Sequence, residues 1–387
     1  MIHQKYNKRF LLLLVLLAAV TFANAQIKVE ASEKVELMAI LSRTAGFREY
    51  CMDMGGQYTK DTEAWFAPYK QHPAVVFMKD LRSKYNLGYD AMMTMAINLE
   101  TDGKKITMTR EKQNLDNRWQ NIEIDTFLVH LNQFYADTRF HDFYTRHQSF
   151  YESVLRVYEQ NVMQHFHQDW FPRFYGTEPT ERFHVVIGFT NGGGNYGPSR
   201  QLPGHPKEVF AICGYSIDEK TGKAFENGQD YATTLIHEFN HSFVNSLYDT
   251  HANLLEPVGK KLFRMSYRGM AQQAYKNVPT VINESIVRAA VIIYMQDNGF
   301  TAEQIKAEMD EQIGRSFLWM PELVGSLCDY SKHCKRYKTL SDYCPEIAKC
   351  LDKYVKKEEK RQARELNKLK HIPEIRLIRT MYKDVLG

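Results

Sequence analysis

Apolar positions recur at helical spacing over most of the chain. Between residues 33 and 47, Val35, Leu37, Met38, Ile40 and Leu41 fall on one side of a helix. A helical pattern returns at Asp80-Leu81 and from Ala91 to Leu99. From Ile122 to about Phe171 it is carried by Phe127, Leu128, Leu131, Phe134 and Tyr135, then by Phe150, Val154, Leu155, Val157 and Tyr158. A break between two helices is expected at His141-Asp142. Lys104 to Thr109 alternates and reads as a short strand. Residues 26–180 therefore read as a mostly helical lobe.

The pattern then changes. Phe183 to Phe189 is β-branched and aromatic and reads as a strand, and Glu208 to Gly214 reads as a second. Between them, Asn191-Gly192-Gly193-Gly194-Asn195-Tyr196-Gly197-Pro198 is a loop. Three glycines after a strand suggest phosphate binding, but the loop lacks the Gly-x-x-x-x-Gly-Lys-Ser/Thr pattern and does not open a helix. It reads instead as a flexible connection bordering a cleft. From Ala232 onward the chain is helical in long pieces, and residues 352–370 form a solvated, charge-rich helix. The expected fold class is α+β, mostly helical.

The first residues change the picture of where the protein works. Lys5, Lys8 and Arg9 precede an apolar run from Phe10 to Phe22, and Ala23-Asn24-Ala25 follows. This is the pattern of a signal peptide over residues 1–25, cleaved before Gln26, with export to the periplasm or the extracellular space expected. The run is short for a bilayer span, so no stable membrane insertion is expected after cleavage. The formal charge of +4 loses these three cations with the leader, which leaves no basic field to favour nucleic acid. Of six cysteines, Cys328, Cys334, Cys344 and Cys350 cluster near the end, and Cys51 and Cys213 stand apart. In an oxidising compartment the cluster reads as a disulfide-clamped helical hairpin, with pairing open. A four-thiolate zinc site fits the spacing less well.

The chemistry lies in two helices. His237-Glu238-Phe239-Asn240-His241 places two imidazoles one helical turn apart, where both can face one metal ion. Glu238 stands beside them as a general base toward water. A catalytic zinc needs a third protein ligand. The extended pattern with a third His six residues after His241 fails, because Leu247 stands there. Glu284 lies in the strongly apolar segment Val281 to Val291, where a carboxylate is expensive unless paired or bound to metal. Arg288, one turn on, offers an ion pair as the structural alternative. Asp249 and Glu256 compete for the ligand role; Asp249 needs a turn after the metal helix to fold it back, and Glu256, before Pro257, reads as a loop residue. His165, His167 and His333 get no site role.

His237 to His241 followed by Asn283-Glu284 resembles the gluzincin type of zinc metallopeptidase, the thermolysin-like clan. It is also similar to a secreted bacterial family of unknown function predicted to be peptidases. The resemblance covers roughly residues 181–300. It implies a zincin-like core, with a small sheet, a metal helix and a second helix bearing the Glu ligand. It implies one zinc per chain held by His237, His241 and Glu284, with Glu238 catalytic. It further implies that the strand at 208–214 is a substrate-binding edge strand. No motif identifies the oxyanion-stabilising residue; Tyr196, His251, Tyr267 and Tyr275 all qualify.

The expected organisation is thus a leader at 1–25, a helical lobe at 26–180, a zincin-like catalytic region at 181–327 and a Cys-containing helical region at 328–387. The expected activity is hydrolysis of peptide or protein substrates. The rivals are a zinc hydrolase of a non-peptide amide or ester, and a non-enzymatic exported binding protein with a structural or vestigial metal site.

Overall fold

The computed structural model describes residues 27–52, 56–218, 220–273, 275–333 and 336–369. The expected leader lies outside them. The described residues form two compact units. The first holds the chain up to Gln168 together with Thr180–Leu235; the second holds Asp169–Pro179 and the chain from Ile236 on.

The first unit opens with β1 (Val29–Ala31) and α1 (Glu33–Thr44). Ser32 caps α1 by accepting from the Val35 N–H, and Glu33 and Glu36 place acid in its first turn, where the helix dipole favours it. α2 (Gly56–Phe66), α3 (Pro73–Tyr85) and α4 (Asp90–Ala96) follow. The helical pattern was expected to run to Leu99. Instead Leu99 opens the hairpin of β2 (Leu99–Thr101) and β3 (Ile106–Met108), where it pairs with Met108. Then come α5 (Asn117–Gln120), α6 (Ile124–Asp137), α7 (Phe140–Arg146) and α8 (Gln148–Asn161). The helix break lies at Thr138-Arg139, not His141-Asp142. Arg139 takes a left-handed conformation there, with φ of 52°, and the Thr138 hydroxyl donates to the Phe134 carbonyl.

Completing the sheet are β4 (Arg182–Gly188), β5 (Ser199–Arg200) and β6 (Glu208–Gly214), in the order β1-β4-β6-β5. β1, β4 and β6 are parallel, and β5 is antiparallel to β6. The sheet thus draws a strand, β1, from the lobe expected to be mostly helical. β6 is not the edge strand that the resemblance implies. Its Phe210 N–H donates to Pro198 O, Ile212 N–H to Tyr196 O and Gly214 N–H to the Asn195 side chain. The glycine loop makes this possible. Gly192 and Gly193 have φ of +66° and +75°, and a Cβ at Gly192 would stand 2.0 Å from the Glu49 carbonyl oxygen. These glycines answer a turn and a close backbone approach.

The second unit contains α9 (Trp170–Tyr175), then the part of α10 (Gly228–Thr250) from Ile236 onward. α11 (Ala252–Gln272), α12 (Val278–Asp297), α13 (Ala302–Gly314), α14 (Met320–Lys332) and α15 (Leu340–Leu369) complete it. α12 is its buried centre: Ile282, Ile286, Ala289, Ala290 and Ile292 are fully enclosed. Asn277 starts α12 by accepting from the Thr280 N–H, with Pro279 in the first turn. Cys328, Cys344 and Cys350 are not joined to one another, so the expected disulfide clamp is absent among the described residues. The Cys328 thiol turns to Gln296 Oε1 and the Cys350 thiol to the Glu322 carbonyl, while Cys344 is buried. Cys334 lies outside the described residues.

Candidate metal centre

The four expected site residues all belong to the second unit. An aromatic seam orients α10. Phe243 of α10 stacks on Tyr175 at 4.5 Å and on Phe171 at 5.9 Å, and Phe239 also meets Phe171. Fully buried Asn240 accepts from the Tyr175 hydroxyl at 2.8 Å and donates to the Val287 carbonyl of α12 at 3.4 Å. With these residues turned inward, the two histidines one turn apart present their rings toward Glu284 on α12.

The ligand-type atoms converge. His237 Nε2 and His241 Nε2 are 3.2 Å apart. His241 Nε2 is 3.4 Å from Glu284 Oε1, and His237 Nε2 is 3.7 Å from Glu284 Oε2. The group could hold a metal ion. Two imidazole nitrogens and a carboxylate oxygen are donors that zinc accepts, and tetrahedral bonds of 2.0–2.2 Å set neighbouring donors about 3.3 Å apart. The donor set therefore fits in type and spacing. About a fifth of each imidazole side chain remains open to solvent, so an ion and water have a way in.

The electrostatics separate the roles. Burial would raise Glu284, but the contact with His241 and the charges of His237, His241 and Arg288 hold it well below the usual carboxylate range. Burial pushes His237 down to about 3. It acts the same way on His241, but there the contact and charge of Glu284 win and raise the imidazole. Burial also raises Glu238, with His241 opposing and the charge of Glu284 reinforcing the shift. A carboxylate whose proton affinity is raised is suited to taking and returning a proton near neutral pH.

Around these residues lies a set of supports that sequence reasoning largely missed. His241 Nδ1 faces Asn245 Oδ1 at 3.1 Å. A proton donated there leaves Nε2 with its lone pair toward the other ligand atoms. Asn245 stands four residues after His241, so helical spacing alone could have found it. The Tyr275 hydroxyl donates to Glu284 Oε2 at 3.0 Å, and Arg288 Nε donates to the same oxygen at 3.1 Å. Gln312 accepts from Arg288 Nη1 at 2.8 Å, a contact no local pattern signals. The Arg288 alternative is thus present as an ion pair, and it leaves Glu284 beside both histidines.

The competing ligands stand elsewhere. Asp249 is still on α10 and exposed. Glu256 lies inside α11, not in a loop, and accepts from Lys260 at 2.9 Å and from Tyr248. Among the oxyanion candidates, only Tyr275 is bonded to one of the three converging residues among the described contacts. His251 pairs with Ser341, Tyr267 is exposed, and Tyr196 belongs to the first unit, where it bridges Ile212. His333 is exposed.

A profile described as a domain of unknown function, DUF4932, matches residues 27–350. The chain belongs to this family. The DUF4932 region takes in parts of both compact units and all four site residues. Neither the curated proteins nor the solved structures hold a match to the chain.

Proposed function

We propose that this DUF4932 chain is an exported zinc-dependent metallopeptidase of gluzincin type, with one zinc per chain and peptides or proteins as substrates. The observation that carries the reading is the convergence of His237, His241 and Glu284 within 3.2–3.7 Å of one another, with Glu238 next to His237 on the same helix. The donor set favours zinc, which takes mixed nitrogen and carboxylate ligands. When bound, zinc supplies Lewis acidity that brings the pKa of water at the site to about 7. Glu238 takes the proton from the attacking water and returns it to the leaving amine. Asn245 keeps His241 oriented, and Glu284 supplies the negative charge. Export rests on the leader pattern of residues 1–25.

The test uses the purified mature chain. Metal analysis is expected to find about one zinc per chain. Glu238→Gln is expected to keep that zinc and to lower peptide hydrolysis by about 100- to 10,000-fold, because an amide cannot accept the proton. A parent without zinc would end the reading. Near-normal turnover in Glu238→Gln would end the peptidase mechanism and leave the metal site standing.

A further inference from the structure

The hydrogen bonds that hold Glu284 from Tyr275 and Arg288 fall on one oxygen. Its Oε2 accepts hydrogen bonds from the Tyr275 hydroxyl at 3.0 Å and Arg288 Nε at 3.1 Å, and Arg288 Nη2 lies 3.0 Å away in the same ion pair. Oε1 faces His241 Nε2 at 3.4 Å, while His237 Nε2 lies farther off, 3.7 Å from the clamped Oε2. We infer that Tyr275 and Arg288 are positioning residues that clamp Oε2, so that Glu284 meets a metal through Oε1 alone. The inference rests on the metal-site reading above.

The clamp is itself immobilised. Arg288 is 7 % exposed. Its Nη1 donates to Gln312 Oε1 at 2.8 Å, its Nη2 to the Tyr275 hydroxyl at 2.9 Å, and its plane lies over the Phe317 ring at 5.0 Å. The Gln312 amide is turned by its own donation to Glu308 Oε1 at 2.6 Å, which sets its oxygen toward Arg288. Every arm of the guanidinium fork is therefore engaged. A lysine, with one charged point on a flexible stem, cannot hold an oxygen and a hydroxyl together in this way.

Two consequences follow from ordinary coordination chemistry. An oxygen that accepts two hydrogen bonds, one of them from a paired guanidinium, has less electron density left for a metal, whereas Oε1 keeps its lone pairs. Three single-atom protein ligands also leave a position open, as catalytic zinc sites require; a two-oxygen carboxylate would compete for that position. The Arg288 charge further compensates Glu284 in its apolar helix before any metal arrives.

Zinc affinity by chelator competition, combined with X-ray absorption spectroscopy of the zinc-loaded chain, tests this. Tyr275→Phe and Arg288→Lys are each expected to weaken zinc binding about 10- to 100-fold, the range for loss of a group that orients a ligand. The double variant should lose less than the product of the two, since both residues hold one oxygen. The coordination number should rise as Oε2 is released. A purely structural role would not move that last readout. Thermal melts monitor folding, and if Arg288→Lys does not fold, Tyr275→Phe, at a partly exposed position, decides alone. Parent-like zinc affinity and an unchanged coordination number in a folded variant would overturn the clamp while leaving the metal site intact. A parent that binds no zinc would overturn both.

Discussion

Glu36 in the first unit and Glu284 in the second are both buried helical carboxylates, and the two are treated in opposite ways. Glu36 of α1 is fully enclosed and accepts from the Phe189 N–H at 2.7 Å, the Thr190 hydroxyl at 2.9 Å and the Tyr58 hydroxyl at 2.9 Å. All three donors are neutral, and one of them, Tyr58, packs its ring against Tyr151, Phe150 and Phe189. Glu284 of α12 is 8 % exposed, but its neighbours are a guanidinium, a phenol and two imidazoles. Burial is the largest influence on both. Neutral hydrogen bonds contribute about 0.5–1.5 kcal/mol each, too little to offset several kcal/mol of lost ion hydration. Glu36 is accordingly pushed up to about 7, while Glu284 stays well below the ordinary carboxylate range. A buried carboxylate among neutral donors becomes a proton site. One among cations and imidazoles stays anionic, which is what a metal ligand needs.

The largest expected effect removes the anion from the second environment. Glu284→Ala should lose zinc at concentrations where Asp249→Ala and Glu256→Ala keep it, with a drop beyond the 10- to 100-fold typical of supporting residues. Chelator competition measures it. If Asp249→Ala were the variant that loses metal, Glu284 would be a structural ion-pair partner, no more a ligand than Glu36.

Glu36 should reveal itself through stability. It binds its proton more tightly in the folded chain than in the unfolded one, where its pKa is near 4.5. Its contribution to stability is therefore present below pH 4.5 and is lost as pH rises toward about 7. The full loss is about 3 kcal/mol, since each pKa unit is 1.36 kcal/mol. Denaturant melts at several pH values should show it, and Glu36→Gln should remove most of the slope. An equal slope in that variant would assign the effect to other groups.

Smaller effects separate the histidines around Glu284. His241 is raised above 6.5, so protons should begin to compete with zinc above that pH, and affinity should fall as pH is lowered through the region. Titrating zinc affinity against pH checks the direction. Asn245→Ala should weaken zinc by about tenfold, at the low end for a supporting residue, because Asn245 is exposed and water can replace its oxygen. No change would remove Asn245 from the tautomer argument.

Much of the candidate site was legible in the chain. His237 and His241 follow from a spacing of four on a helix, which puts two side chains on one face whatever the rest of the protein does. Glu284 was legible by a different argument, the expense of a charge in an apolar helix. That argument applies equally to Glu36, flanked by Val35, Leu37 and Met38, and it cannot tell the two apart. It states that compensation must exist and not what supplies it.

The chain by itself determined many of the helical segments, the two central strands and the pair of histidines, because each rests on interactions within a few residues. Tertiary structure decided the rest. Whether β6 is an edge depends on a loop that returns to cover it. Whether Cys328, Cys344 and Cys350 pair depends on where α14 and α15 point their thiols. Whether a buried carboxylate holds a proton or stays charged depends on donors brought from far along the chain: Phe189 to Glu36 across 153 residues, and Gln312 to Arg288 across 24. Local pattern sets which groups must be satisfied, but only the packed fold selects their partners, since the energy of a buried charge is set by whatever atoms lie within a few ångströms of it.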